Sequence, residues 1–315
     1  MECSVCSCIS ANQKHILFDD RYGFKGHFHL QTCNNCGHTY LDGAPKDSEL
    51  GDLYTNFYPR KSFNLDNFKA YKKGGFLQNW LVGGKSSACQ SVTSGSRVLD
   101  IGCGYGETLA YMESAGCDVY GIDADRNVEQ VAKKYGFKIH IGVFNNSIYE
   151  KDFFDFVTMN QVIEHVPNIN ESFAAISKTL KSGGCCVMST PNANGWGARL
   201  FGRKWLNWHA PYHQHFLSKK SIQILAEKHG FKIEKIETIT RSEWVVYQIL
   251  HLINYPKYGE SSSFWAPYNQ KRTVVKKILQ KIIAASQFLL LPQLTTRVFD
   301  MFGVGDNYLI VLKKK

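Results

Sequence analysis

Val98-Leu99-Asp100-Ile101-Gly102-Cys103-Gly104-Tyr105-Gly106 opens as an apolar strand and closes as a glycine-rich turn, and Glu107-Thr108-Leu109-Ala110 then starts a helix. Glycines at such a turn let the backbone bend sharply and approach a ligand with no Cβ in the way. A dinucleotide fingerprint requires glycine at position 107, where this chain has Glu107. A carboxylate at that helix N-terminus repels a pyrophosphate but is compatible with a cofactor that carries sulfonium and ammonium groups. The next strand ends in Gly121-Ile122-Asp123-Ala124-Asp125. This places an acid about 20 residues beyond the loop, where it can accept hydrogen bonds from ribose hydroxyls.

Outward from the loop, apolar segments of strand length alternate with segments of helical period. Strands are expected at 97–101, 119–122, 138–141, 154–159, 186–189 and 232–239, and helices at 107–115, 127–135, 170–180 and 218–229. This alternation predicts an α/β fold whose mostly parallel sheet is covered by helices on both faces. A last strand at 308–312 follows an interval in which Val274, Val275, Ile278, Leu279, Ile282, Ile283, Leu289 and Leu290 recur at helical spacing opposite Lys276, Lys277, Gln280 and Lys281. We read that interval as a helical cap packed on the main domain. The aromatic tract Tyr54, Phe57, Tyr58, Phe63, Phe68, Tyr71, Phe76 and Trp80 is read as short helices, and the polar stretch 85–96 as a linker. The expected organisation is a metal-stapled module at 1–45, a connector at 46–95, the α/β core at 96–240, the cap at 241–305, and the last strand with a basic tail at 306–315.

The motifs VLDIGCGYG (98–106), YGID (120–123), FDFVTMNQVIEHVPN (154–168) and LKSGGCCVMSTPN (180–192) make about residues 96–240 resemble the class I S-adenosylmethionine-dependent methyltransferases. Within them the chain looks most like the ubiquinone-type O-methyltransferases and their relatives in polysaccharide and sugar-modification clusters. The resemblance implies a Rossmann-like, seven-stranded sheet and S-adenosylmethionine as cofactor. It further implies that Asp100, Gly102, Cys103 and Gly104 surround the methionine end of that cofactor and that Asp123, with Ala124 beside it, takes the ribose. Phe144 and Asn145 would flank the adenine, and Asn160, Gln161 and Ile163 would lie along the pocket. One departure stands out: many relatives have an acid near the end of the third strand, and this chain reads Val143-Phe144-Asn145-Asn146.

Cys3-x-x-Cys6 and Cys33-x-x-Cys36 are two knuckles, the second followed at once by Gly37. Such pairs supply four thiolates to a closed tetrahedral, and therefore structural, zinc site in a zinc-ribbon-like module. Cys8, His15, His27, His29 and His38 are possible substitutes for one ligand. The tract Cys33-Asn34-Asn35-Cys36-Gly37-His38-Thr39-Tyr40-Leu41, with Leu53-Tyr54-Thr55-Asn56-Phe57-Tyr58 after it, resembles the N-terminal zinc module of sugar and polysaccharide-cluster methyltransferases. That likeness implies a sugar or glycan acceptor, nucleotide-linked or at the end of a surface polysaccharide. A quinone or small-aromatic O-methyltransferase, a sugar C-methyltransferase and an RNA-binding methyltransferase are the alternatives.

Methyl transfer to a hydroxyl needs a general base in hydrogen-bond reach, for which histidine is suited near neutral pH. His165 follows the fourth strand, and His213 and His215 lie in Trp208-His209-Ala210-Pro211-Tyr212-His213-Gln214-His215-Phe216 after the fifth. His165 and His213 are the leading candidates. His215 also fits a role anchoring the helix that follows. Trp196, Trp205 and Trp208, set among glycines and polar residues, are read as a lid.

The net charge of +10 would suit an anionic partner, but lysines and arginines are scattered along the 315 residues except at 271–281 and 313–315. Nucleic acid is therefore disfavoured as a partner. A peripheral contact with an anionic membrane or a biosynthetic complex stays open. Met1-Glu2-Cys3 lacks a secretion signal and the cysteine pairs suit a reducing compartment, so a cytoplasmic location is expected.

Overall fold

The computed structural model describes residues 2–43, 53, 57, 68–266, 285–287 and 289–315. Most of the aromatic tract between Tyr54 and Phe63, and the apolar repeat between Val274 and Ile283, lie outside the described residues.

Two sheets organise the chain. The larger joins β4 (Arg97–Ile101), β5 (Asp118–Asp123), β6 (Lys138–Ile141), β7 (Phe154–Asn160), β8 (Leu180–Pro191), β10 (Phe231–Ile239) and β11 (Asn307–Lys314) in the order β10-β11-β8-β7-β4-β5-β6. β4 pairs in parallel with β5 and β7, and β11 runs antiparallel to both β10 and β8. A parallel sheet covered on both faces needs side chains that are apolar in both directions. β4 supplies them: Val98, Leu99 and Ile101 are buried, as are Ile122, Val157, Met159 and Met188 on neighbouring strands.

Helices α2 (Glu107–Ser114), α3 (Val128–Tyr135), α4 (Ile169–Thr179) and α6 (Lys219–Lys228) cover this sheet, after a short α1 (Phe76–Leu81) and with α5 (Trp196–Phe201) between α4 and α6. Two starts are fixed by local chemistry. The Asn168 side chain accepts the N–H groups of Asn170 and Glu171, and Ser218 forms a reciprocal capping box with Ser221. Of the stretch 85–96, expected as a linker, residues 86–89 are instead packed, while 91 and 93–95 are exposed. It holds two short 3-10 turns, Gly84–Ser86 and Ala88–Ser91, with Ser86, Ser87, Ala88 and Cys89 buried. Its buried part finds partners inside the fold: the Gln90 side chain bonds Asn79, and the Ala88 backbone N–H donates to Asn160 Oδ1 at 2.8 Å. In the interval before β11, α7 (Glu243–Ile253) and α8 (Leu291–Met301) are described. Gln248 on α7 accepts the Leu206 N–H, and Arg297 on α8 donates to the carbonyls of Trp80 and Thr240.

The smaller sheet has the order β1-β2-β3-β9, built from β1 (Ala11–Leu17), β2 (Phe28–Cys33), β3 (Thr39–Asp42) and the two-residue β9 (His215–Phe216). Its fourth strand therefore comes from the loop after β8. Between this sheet and the main domain lies a second core of Leu17, Phe28, Leu30, Leu41, Trp205, Trp208 and Phe216. The lid reading of the tryptophans is corrected here. Trp205 and Trp208, 0% and 1% exposed, pack the joint between the sheets, and Trp196, 8% exposed, stacks on Phe299 of α8 at 4.8 Å. Their indole N–H groups find partners, Trp208 Nε1–H donating to the Gly202 carbonyl and Trp205 Nε1–H to Asp306 Oδ2.

Asp306 also accepts the Gly197 N–H at 2.7 Å, and burial pushes its carboxyl up to about 7. Because this value lies above the unfolded one, the stability contributed by the neutral carboxyl is full below about pH 4 and is lost as pH rises through about 7. The expected loss between pH 5 and 8 is on the order of 2 kcal/mol. Denaturant unfolding at a series of pH values should give a shallower slope for Asp306→Asn than for the wild type. Equal slopes would remove Asp306 as the titrating group.

Candidate active site and cysteine cluster

The carboxyl ends of β4, β5, β6 and β7 lie along one edge of the large sheet, where ligands gather in this architecture. Gly102 and Gly104 take φ values of +72° and +51°, a left-handed backbone open to glycine. A Cβ on Gly104 would meet nothing within 4 Å, so the backbone there faces open space. Asp123, at the end of β5, ties the loop down: its Oδ2 accepts the Gly104 N–H and its Oδ1 the Asp125 N–H, both at 2.9 Å.

Asp100 behaves differently. It is 2% exposed, with Oδ1 accepting the Thr158 hydroxyl at 2.7 Å and Oδ2 accepting the Thr108 hydroxyl. Burial pushes its carboxyl up to about 6. It braces the glycine turn against α2 and β7, so any action on a ligand passes through the loop.

Cys103 and Ile163 are buried under the edge, and Ala124 is exposed beside Asp123. Phe144 is half-buried against the main core, whereas the exposed Asn145 closes a turn on Ser147 at 2.9 Å. Asn160 and Gln161 line a cavity of about 410 Å³ together with Tyr71, Ser86, Ser87, Glu107, Thr108, Ser189, Arg241 and Trp244. Gln161 has a φ of +54°, uncommon for a side-chain-bearing residue. It is held there by its N–H to the Ser189 carbonyl at 2.9 Å and its Nε2–H to Ser189 Oγ at 3.3 Å. Tyr71, Ser86, Arg241 and Trp244 were not legible as site residues. They reach the cavity from the connector and from the start of α7, segments with no motif of their own.

A 3-10 turn, Ile163–His165, carries the chain from the cavity to a second cluster. The rings of His165 and His213 stand 4.5 Å apart at 89°, and His209 joins them at 4.9 Å from His213. His165 Nδ1 lies 3.0 Å from the Tyr212 carbonyl and His213 Nδ1 2.7 Å from the Asn207 carbonyl. Donation from Nδ1 puts the lone pair of each neutral ring on Nε2. Burial, and then the neighbouring His165 ring, push His213 well below the usual histidine range. Glu164 is fully buried, its carboxyl pushed up to about 8 by that burial. Its Oε2 accepts the Thr190 hydroxyl at 3.0 Å, and its Oε1 has no hydrogen-bond partner among the described residues. Ligand atoms of Glu164, His165 and His213 all fall within 4.8 Å of one another. His215, the third histidine singled out from the sequence, is not part of this group. It sits on β9 and stacks on His38, 5.3 Å away.

The four knuckle cysteines converge. Cys3 Sγ is 3.6 Å from Cys36 Sγ, Cys6 Sγ is 3.5 Å from Cys33 Sγ, and all four sulfurs lie within 4.8 Å of one another. A tetrahedron with zinc–sulfur bonds of about 2.3 Å has edges of about 3.8 Å. The separations are close to that and far beyond a disulfide, and all ten cysteines are free. Gly37, with φ +68°, turns the chain after Cys36 so that its N–H reaches the Cys33 carbonyl at 2.9 Å. Contact with Cys36 pushes the Cys3 thiol well below its usual range, and the same contact pushes Cys36 above it, so the two sulfurs behave as a pair sharing one proton. Cys8, by contrast, donates to the Ser10 carbonyl.

Residues 85–236, from the packed connector to β10, match the family profile described as a methyltransferase domain. The strand order, the glycine turn and this match define the segment as a Rossmann-like methyltransferase domain. The relatives are more particular. The chain is 32% identical over 113 residues to a ubiquinone biosynthesis O-methyltransferase of Alkalilimnicola ehrlichii, covering 34% of this chain and 46% of that protein. It is 30% identical over 149 residues to a protein of the same description from Bartonella quintana, covering 44% and 60%. The chain thus spans about half the length of the curated relatives it matches. Among solved structures, an S-adenosylmethionine-dependent methyltransferase from Mesorhizobium loti aligns with a TM-score of 0.45 at 15% identity, over 75% of this chain and 97% of that one. No helix among the described residues is long and apolar enough to cross a membrane.

Proposed function

We propose that this chain moves a methyl group from S-adenosylmethionine to a hydroxyl oxygen of a small ring-bearing acceptor, a phenol or quinol in preference to a sugar. The observation that carries the reading is the sheet edge itself: a glycine turn tied to Asp123 beside a cavity walled by Tyr71 and Trp244. The sugar acceptor expected from the cysteine tract finds no support among the relatives, whose described acceptor pathway is that of ubiquinone.

Bound at this edge, S-adenosylmethionine supplies a methyl carbon already activated by its sulfonium. The residues present fit it: Gly104 lets the backbone approach, Gly102 makes room for Val162 behind it, Asp123 offers a carboxylate toward ribose hydroxyls, and Glu107 opposes a phosphate at the start of α2. Asn160, Gln161 and Thr108 line the adjoining cavity, where Tyr71 and Trp244 give an aromatic ring flat surfaces to lie against. His165 or His213, from the neighbouring cluster, takes the acceptor proton on Nε2. The closed cysteine cluster holds zinc as a structural ion, with no position left for substrate.

Release of S-adenosylhomocysteine from S-adenosylmethionine and a panel of a catechol, a quinol and a uridine-diphosphate sugar tests the acceptor. Turnover of the sugar alone restores the sugar reading, and absence of cofactor binding by calorimetry removes the methyltransferase. His165→Ala and His213→Ala should each bind S-adenosylmethionine within about twofold of the wild type, while at least one loses about 100-fold or more in kcat. Normal turnover by both ends the histidine-base reading.

The unpartnered Oε1 of Glu164 favours a second reading of the same cluster, in which Glu164, His165 and His213 hold a divalent cation that polarises the acceptor hydroxyl. Metal analysis separates the two, with one equivalent expected for the cysteine cluster alone and two if both sites fill.

A further inference from the structure

A series of hydrogen bonds runs from the cysteine cluster to the backbone beside the histidine pair. His38 is 0% exposed. Its Nδ1 lies 3.7 Å from Cys3 Sγ and its Nε2 3.3 Å from His215 Nδ1. β3 and β9 pair antiparallel, Thr39 opposite Phe216 and Tyr40 opposite His215. The Leu41 N–H extends that ladder to the Gln214 carbonyl at 3.0 Å, and the Gln214 N–H continues to the Glu164 carbonyl at 2.7 Å. His213 is the residue before Gln214 and His165 the residue after Glu164, so each catalytic candidate is one peptide from this ladder. The second knuckle is held from the same side: Ser218 Oγ–H donates to the Cys36 carbonyl at 2.5 Å and Lys220 Nζ–H to the Asn35 carbonyl at 2.7 Å.

We propose that the metal-loaded cysteine cluster positions the His213 loop against His165, with His38 as the positioning residue between them. This deepens the reading above and rests on its zinc site and histidine pair. A strand of two residues makes few ladder contacts of its own, so the edge that β3 and the His38–His215 contact present to β9 helps to fix where it sits. Thiolates fixed by a metal fix that edge. When they are released, the sulfur beside His38 is free to move and the ladder to Glu164 loses its anchor. The cofactor side lies farther along: the glycine turn and Asp123 belong to β4 and β5, on the other side of β7 from β8 and the loop after it, and the turn meets the route where Val162 lies against Gly102. The module therefore acts chiefly on the acceptor half of the site.

The test uses the full chain with zinc content measured first, then amide hydrogen exchange and side-chain imidazole spectra for the wild type, His38→Ala and His38→Gln. In His38→Ala, exchange at residues 207–216 should quicken at least tenfold and the ring resonances of His165 and His213 should move. Exchange at residues 98–104 and S-adenosylmethionine binding should stay as in the wild type. His38→Gln, whose amide can still donate and accept, should recover most of the protection. Unchanged exchange in the loop and unmoved ring resonances in His38→Ala overturn the proposal, whether or not that variant keeps its zinc. So does a uniform rise in exchange across both halves of the site. A wild type with no bound zinc overturns this proposal and the zinc site together, while the methyltransferase reading, tested by cofactor binding, stands apart.

Discussion

Asp123→Ala will bind S-adenosylmethionine about 100-fold more weakly than the wild type, or worse, while folding normally. Two effects combine. The carboxylate accepts the N–H groups of Gly104 and Asp125, so its removal loosens the glycine turn at the point where the backbone must approach the ligand. It also removes the acid offered to ribose hydroxyls, and a hydrogen bond to a charged group contributes about 1.5–3 kcal/mol, equivalent to roughly 10- to 100-fold in affinity for each. Asp123→Asn separates the two, because it keeps one acceptor for the loop and loses the charge. Isothermal calorimetry reads both variants, and unchanged affinity in Asp123→Ala would place the cofactor somewhere other than this edge.

The other large effect is on stability. Stripping the metal with a strong chelator, or Cys36→Ser, should lower Tm by about 10 °C or more, since binding of structural zinc to four thiolates is worth roughly 10 kcal/mol of folding free energy. The effect should not stop at the module. Cys3, Val5, Cys33 and Cys36 are buried in the same core as Leu217, Ile222 and Leu225 of the main domain. Releasing the knuckles therefore opens one flank of that core. Calorimetric melting with and without chelator, followed by re-addition of zinc, checks this. A Tm that does not change while the metal leaves would show that the sulfur cluster holds itself.

The central domain was legible because its signals are local. An apolar run, a glycine turn and an acid at a fixed distance belong to one strand–helix–strand segment, and the observed β4, Arg97–Ile101, and β6, Lys138–Ile141, coincide with the expected strands. The convergence of Cys3, Cys6, Cys33 and Cys36 followed from spacing, since each pair sits on one tight turn. Two expectations failed for a common reason. The tryptophans read as a lid and residues 86–89 read as part of a linker were judged by polar neighbours in sequence. In the fold both are buried and their polar groups find partners, near in sequence as Gly202 is for Trp208 or far from it as Asn160 is for Ala88.

By itself, then, the sequence determined the parallel sheet, the glycine turn at its edge and the four-sulfur knuckles, because periodicity and short spacings dictate local backbone geometry. The tertiary structure alone decided which surfaces meet. It placed β9 in the sheet of the cysteine module, paired His213 with His165 and turned His215 to His38. Residues far apart in the chain are brought together by buried area and hydrogen-bond satisfaction summed over the whole core, and no local pattern records that sum.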